Sequence, residues 1–183
     1  MRGGIYGALF AILVLLKSIN MKKSFLYIFL FLIVNRSAAQ SSKLESSAKS
    51  PDMPAFSITK APDSTRFERA SLQKNKDVII MVFSPDCEHC QLKIKEIMAH
   101  YNLFKNTQIV MVSNLGYLYV KKFYQEFKLA KYPNIVMGMD YKYQLGSFFN
   151  IASVPTLFLY NKKGKFVKTF DRNVPVQTIA KSL

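Results

Sequence analysis

The chain has 183 residues, half of them hydrophobic, with two cysteines and no tryptophan. That length and apolar content are sufficient for one domain whose core needs no cross-links. Of its 26 lysines and arginines, five precede residue 40, which leaves 21 − 11 = +10 for the remainder. Because these basic residues are scattered and not gathered on one face, we expect a solvated surface and no nucleic-acid site.

The amino-terminal region contains two apolar runs, at residues 5–16 and 25–34. Both are shorter than the roughly 20 residues that a membrane-spanning helix needs. The second run follows the basic stretch Met21-Lys22-Lys23 and precedes NRSAAQ, whose small residues suit cleavage after Ala39. A basic segment, an apolar segment and a small-residue cleavage site together indicate a signal peptide.

The sequence therefore divides into four parts. Residues 21–39 are predicted to be the signal peptide, and residues 1–20 an over-extended start or an extra apolar segment. Residues 40–50 are rich in serine and predict a flexible leader before a domain at 51–183. We expect export to the periplasm or cell envelope with weak or no membrane contact after cleavage. The alternative is a protein anchored in the membrane by an uncleaved amino-terminal segment.

Three apolar runs predict buried central strands, at residues 77–83, 107–113 and 134–140. Between them, apolar residues recur at three- and four-residue spacing from Cys87 to Phe104 and from Tyr117 to Phe127. This spacing predicts two amphipathic helices, each connecting one strand to the next.

Weaker signals flank this central part. Residues 53–60 are typical of an edge strand, 63–76 of a turn and a short helix, and 141–153 of a short helix or turn. A lysine-rich turn within 156–170 predicts a hairpin, and a last helix follows Pro175. The order of elements predicts an α/β fold with a mixed central sheet and helices on both faces.

Both cysteines lie in the stretch CEHC, directly after the first predicted strand. At the start of a helix, unsatisfied N–H groups and the positive end of the dipole stabilise a thiolate, so Cys87 is the predicted nucleophile. Cys90 lies one turn deeper on the apolar stripe and is the predicted resolving thiol. His89 is expected to favour the thiolate of Cys87, whereas Asp86, also the candidate helix N-cap, and Glu88 oppose it.

Other interpretations of the pair fit less well. A zinc site needs about four ligands, and only His89 and His100 could join the cysteines as nitrogen donors. A structural disulfide would close only a tiny loop and stabilise little. A peroxiredoxin-like peroxidase and a binding module with incidental redox activity stay open as alternatives. The favoured interpretation, thiol-disulfide exchange, requires no cofactor and no metal.

Two segments of the sequence resemble a known family. The segments VIIMVFSPDCEHCQ and SVPTLFLYNKKGK resemble the thioredoxin fold, a three-layer α/β architecture. With the signal peptide and PDMPAFSI, the chain resembles the exported TlpA/ResA-like thiol-disulfide oxidoreductases over residues 51–183. The resemblance implies a cis Val154–Pro155 bond beside the cysteines, with the backbone of Val154 pairing with a bound substrate strand. It also implies disulfide- or dithiol-containing protein substrates and an unidentified redox partner that resets the pair.

Several positions depart from the family pattern. Met81 stands where thioredoxin buries an acid, and Lys93 where ResA-like members often carry a glutamate. Phe83 and Asp86 occupy positions that are commonly tryptophan. The residue that relays the proton and the direction of electron flow are therefore left open by the sequence.

Overall fold

The computed structural model describes residues 51–183, and the three apolar runs form its central strands. The strands of this region are β1 (Ser57–Lys60), β2 (Arg66–Glu68), β3 (Asp77–Val82), β4 (Thr107–Ser113), β5 (Ile135–Met139), β6 (Thr156–Tyr160) and β7 (Phe166–Phe170). Its α-helices are α1 (Glu88–Ala99), α2 (Tyr117–Glu126), α3 (Gln144–Phe149) and α4 (Val176–Ala180). The segments expected at 1–20, 21–39 and 40–50 lie outside the described residues.

All seven strands belong to one sheet in the order β2-β1-β5-β4-β3-β6-β7. β3, β4 and β5 are parallel to one another, and the remaining pairs are antiparallel. The predicted mixed sheet is thus confirmed. Parallel strands need helical crossovers, which α1 and α2 supply between β3, β4 and β5.

Alternate side chains of the central strands enter two separate core clusters, as expected for strands buried on both faces. α1, α2 and α4 cover one face of the sheet, where their apolar residues pack with Ile79, Met81 and Met111. α3 packs on the opposite face with Ile80, Val110 and residues of β1 and β2. The predicted three-layer arrangement with helices on both faces is therefore confirmed.

Three methionines form a row across the first of these faces. Met81 pairs in register with Met111, and Met111 pairs with Met137 on the next strand. All three are fully buried. Flexible thioether side chains fill the space between the sheet and the covering helices.

The region 63–76 differs from its prediction of a turn and a short helix. It contains the strand β2 and a single 3₁₀ turn at Arg69–Ser71. Phe67 is buried in the second core cluster and is paired with Ile58 of β1. Tertiary burial of one aromatic side chain thus outweighs the weak local helical pattern.

Gly138 of β5 pairs with Lys60 of β1. A Cβ atom built on Gly138 would lie 2.7 Å from the carbonyl oxygen of Thr59 and 2.8 Å from Cδ1 of Ile58. Glycine is therefore required here by the proximity of a neighbouring backbone.

None of the helices between residues 51 and 183 is long and apolar enough to span a bilayer.

Candidate active site

The cysteine pair lies at the carboxyl end of β3, where the chain turns into α1. Phe83 extends the pairing of β3 by donating its N–H to the carbonyl of Val112 at 3.0 Å. The N–H of Cys87 then donates to the carbonyl of Ser84 at 3.2 Å, which closes the turn before the helix. A buried central strand therefore fixes where the first cysteine emerges.

Cys87 itself is the N-cap of α1, and the expected cap at Asp86 was wrong. The Sγ of Cys87 accepts a hydrogen bond from the backbone N–H of Cys90 at 3.3 Å. Asp86 instead accepts a short hydrogen bond from the hydroxyl of Ser84. Because Ser84 engages the Asp86 carboxylate, the sulfur takes the place of the usual oxygen acceptor at the first turn of the helix.

The two sulfurs are free thiols in different surroundings: Cys87 is half-buried and Cys90 is fully buried. Burial raises the pKa of the Cys90 thiol far above its usual range, and its hydrogen bond with Cys87 raises it further. A backbone hydrogen bond from Ser84 acts in the opposite direction without cancelling these effects. One thiol can thus be reached from solvent, while the other is held protonated beneath it.

The loop before β6 completes the site from the other side. The Val154–Pro155 peptide bond is cis. The carbonyl oxygen of Val154 lies 3.8 Å from the Sγ of Cys87, which can donate its thiol proton to it. The structure therefore brings Cys87, Cys90 and the Val154–Pro155 loop together, across 67 residues of sequence separation. His89 lies exposed in the first turn of α1.

Sequence reasoning missed a buried ion pair on α1. Lys93 is a charged residue between apolar positions of the helix, yet only 5% of its side chain is exposed. Its Nζ donates to Oε2 of Glu96 at 2.9 Å and to the carbonyl of Val174 at 2.6 Å. Oε1 of Glu96 accepts from the N–H of Val176 at 3.1 Å. The pair therefore joins α1 to the start of α4.

The surroundings of Glu96 favour its charged form. Partial burial opposes ionisation, but hydrogen bonds from Lys93 and Val176 and the charges of Lys93 and His100 together lower the pKa of this carboxyl. A signal for the buried pair was present in the sequence, since Lys93 lies three residues after Cys90 and next to Ile94, on the apolar side. Its partners near residue 175 were not readable from local spacing.

Within residues 51–183, no group of three or more histidine, cysteine, aspartate and glutamate residues is placed to hold a metal ion.

Residues 65–181 match the family model described as the thioredoxin-like domain. The match covers more than half of the sequence, so the chain belongs to the thioredoxin-like family. Membership of the thioredoxin-like family and the predicted thioredoxin fold are thereby confirmed.

Solved structures of similar fold agree with this assignment. A putative thioredoxin from Neisseria meningitidis is 23% identical with a TM-score of 0.58, and the match covers 71% of this chain and 88% of that one. The thioredoxin domain of a Bacteroides vulgatus thiol-disulfide oxidoreductase is 19% identical with a TM-score of 0.59, covering 72% and 91%. StoA from Bacillus subtilis is 17% identical with a TM-score of 0.53, covering 73% and 98%. None of the curated proteins compared with this sequence matches it significantly.

Proposed function

We propose that this protein is an exported thiol-disulfide oxidoreductase that acts on protein disulfides through Cys87 and Cys90. The observation that carries the proposal is the asymmetry of the pair. Cys87 is half-buried and its sulfur accepts the N–H of Cys90 at 3.3 Å, while Cys90 is fully buried behind it. A reachable sulfur that already accepts a hydrogen bond is suited to attack, and a hidden one to resolve.

In the proposed reaction, the Cys87 thiolate attacks one sulfur of a substrate disulfide and forms a mixed disulfide, and the other substrate sulfur leaves as a thiolate. Cys90 then loses its proton and attacks the sulfur of Cys87. The second substrate sulfur leaves, protons from solvent convert both leaving groups to thiols, and the protein holds the Cys87–Cys90 disulfide. Two electrons pass from the protein dithiol to the substrate, and the same steps run in reverse when the substrate is the dithiol.

The remaining roles follow from position. The backbone of Val154, beside Cys87 and ahead of Pro155, is proposed to pair with an extended substrate segment. His89, in the first turn of α1, is proposed to favour the Cys87 thiolate through its imidazole, as a hydrogen-bond donor or electrostatically. A redox partner in the periplasm or cell envelope would return the pair to its starting state, since paired cysteines outside the cytoplasm oxidise unless they are reduced. No cofactor is needed for this exchange.

The test is covalent trapping in the native compartment. The Cys90→Ala variant removes the resolving thiol, so we expect substrate proteins to accumulate in disulfide-linked adducts with Cys87, seen on non-reducing gels and identified by mass spectrometry. The Cys87→Ala variant is the matched control and should trap none. A thioredoxin-fold binding module would give no adduct with either variant, and that result would overturn the proposal.

A further inference from the structure

A cavity of about 450 Å³ lies between α1 and the segment that follows α2. Its lining includes Gln91, Lys95 and Met98 from α1 and Phe127, Lys131 and Tyr132 from the facing segment. We call this feature the α1–α2 groove. Cavities of this size are typical of sites that receive a ligand or a few side chains of a partner.

The floor of the groove is apolar and already fixed in place. Met98, Phe127 and Tyr132 are partly buried and pack against the core cluster that α1, α2 and α4 cover. The ring of Phe127 stacks on Phe123 at a centroid distance of 4.0 Å, and Tyr132 packs edge-on against Tyr101 at 4.9 Å. Because these rings are held from behind, binding of an apolar side chain would require little reordering.

The rim of the groove is positively charged. Lys95, Lys128 and Lys131 are exposed, and within residues 51–183 none of them forms an ion pair. Glu126 also lines the groove, but it is paired with Lys122 at 3.6 Å. The Nζ of Lys95 lies over the ring of Phe127, 6.0 Å from its centroid, so this ammonium faces an aromatic ring and, in the described part of the chain, no carboxylate. Positive charge that no carboxylate neutralises, beside an apolar floor, is complementary to an acidic segment that carries an apolar side chain.

One end of the groove, at Gln91, lies one helical turn from Cys87, whose carbonyl accepts the N–H of Gln91 at 3.1 Å. The Nε2 of Gln91 donates to the carbonyl of Pro85 at 3.0 Å, and Pro85 lies in the turn that leads to Cys87. From Gln91 to Met98 the helix rises about 10 Å, which corresponds to about three residues of extended peptide. A polypeptide whose cysteine reacts at Cys87 could therefore place neighbouring residues in the groove.

We propose that the α1–α2 groove binds a short acidic segment with an aromatic or aliphatic side chain, located next to the reacting cysteine of a protein substrate or redox partner. This inference rests on the proposed function, because it assigns the groove to recognition during thiol-disulfide exchange. The acidic residues contact the lysines of the rim, and the apolar side chain contacts Met98, Phe127 and Tyr132.

The test uses the full chain, reduced, and synthetic peptides whose single cysteine carries a 2-thiopyridyl group. Attack by the Cys87 thiolate forms the peptide mixed disulfide and releases pyridine-2-thione, which is followed by absorbance. Peptides carry Asp-Asp-Phe, Ser-Ser-Phe or Lys-Lys-Phe two residues after the cysteine or, in a second set, two residues before it. In one of the two sets we expect the acidic peptide to react about tenfold faster than the lysine peptide at low salt, with the difference shrinking as salt rises.

Charge-reversal variants test whether the lysines of the groove cause the peptide preference. In Lys95→Glu/Lys131→Glu, the order of the acidic and lysine peptides should reverse. Lys162→Glu/Lys163→Glu carries the same change in charge on the exposed turn between β6 and β7, and it should keep the original order. Rates with the neutral reagent 2,2′-dithiodipyridine normalise each variant for the reactivity of Cys87.

The outcomes separate the two proposals. Equal rates for all peptides, or the same loss of preference in the control variant, would overturn the groove assignment while leaving the redox function intact. If inorganic phosphate abolishes the preference while replacement of the peptide phenylalanine by alanine has no effect, the groove is only an anion site. That result would also overturn the groove assignment. If phosphatidylglycerol vesicles bind through the groove lysines and no peptide preference is found, the groove belongs to lipid instead. Failure of Cys87 to form any mixed disulfide would count against the proposed function itself.

Discussion

The ammonium of Lys93 lies 2.9 Å from the carboxylate of Glu96, and 5% of the lysine side chain is exposed against 32% of the glutamate. Removing one partner of a buried pair costs about 3–5 kcal/mol, but exposure of Glu96 reduces this, so Glu96→Gln should destabilise the fold by about 1–2 kcal/mol at pH 7. Urea unfolding measures the change. Glu126→Gln, which removes the exposed pair with Lys122, is the control and should cost less than about 0.5 kcal/mol.

The same pair predicts a pH dependence. The carboxyl of Glu96 has a lowered pKa in the folded protein, so its stabilising contribution is fully present above the unfolded pKa of about 4.3. It is lost as the pH falls through the folded pKa, where the folded state also takes up the proton. The difference in unfolding free energy between wild type and Glu96→Gln should therefore shrink below about pH 4. A difference that stays constant from pH 7 to pH 3 would contradict the role of the ionised carboxylate.

Cys90 should react with alkylating reagents as a thiol that resists ionisation. Burial raises its pKa, so in the Cys87→Ala variant the rate of labelling by iodoacetamide should rise about tenfold per pH unit from pH 7 to 10 without levelling off. Mass spectrometry of the labelled protein gives the rate. The Cys90→Ala variant, which retains the half-buried Cys87, should label faster at pH 7. A plateau near pH 8.5 for Cys90 would show an ordinary exposed thiol and contradict its burial.

Replacing His89 should make the pair a stronger reductant. Without the imidazole beside the pair, the electrostatic support proposed for the Cys87 thiolate is lost, so the dithiol form loses stability relative to the disulfide. Because His89 is exposed, we expect His89→Ala to lower the reduction potential by only about 10–20 mV, measured against glutathione mixtures. His100→Ala, at the far end of α1, is the control and should leave the potential unchanged. A rise in potential for His89→Ala would refute its assigned role.

Gly138 should tolerate no side chain. A Cβ there would lie 2.7 Å from the backbone oxygen of Thr59, and backbone cannot move aside as a side chain can. We expect Gly138→Ala to lower the unfolding free energy by about 1–3 kcal/mol. Gly116→Ala, whose Cβ would meet only Cδ2 of Tyr119 at 3.7 Å, should cost less than about 1 kcal/mol. Thermal unfolding of the two variants compares them directly.

The central strands could be predicted because each is buried on both faces. The run at 107–113 coincides with β4, and the runs at 77–83 and 134–140 exceed β3 and β5 by one or two residues. Continuous apolar runs of this length have few alternative structures. β2 could not be predicted, since it has three residues and depends on burial of one phenylalanine.

Part of the candidate site could also be predicted from local sequence patterns. The CEHC stretch and the Val154–Pro155 loop are local patterns with a physical or family meaning. The N-cap was misplaced because sulfur is an unusual acceptor at that position, and Cys87 took the role expected of Asp86. The burial of Lys93 could not be predicted, because it depends on contacts far along the chain. Its ammonium donates to the carbonyl of Val174, and its partner Glu96 also accepts from the N–H of Val176.

Complete burial of Cys90 also limits how many molecules the site can hold. In the proposed reaction, once Cys87 is joined to a substrate, the buried sulfur of Cys90 has no exposed surface that a second disulfide could reach. Under the proposed function, each chain would therefore carry one substrate at a time and would not link two substrates to each other through its own cysteines. The buried thiol of Cys90 would release the bound substrate by attacking the sulfur of Cys87, and its burial would keep a second substrate from reacting with it.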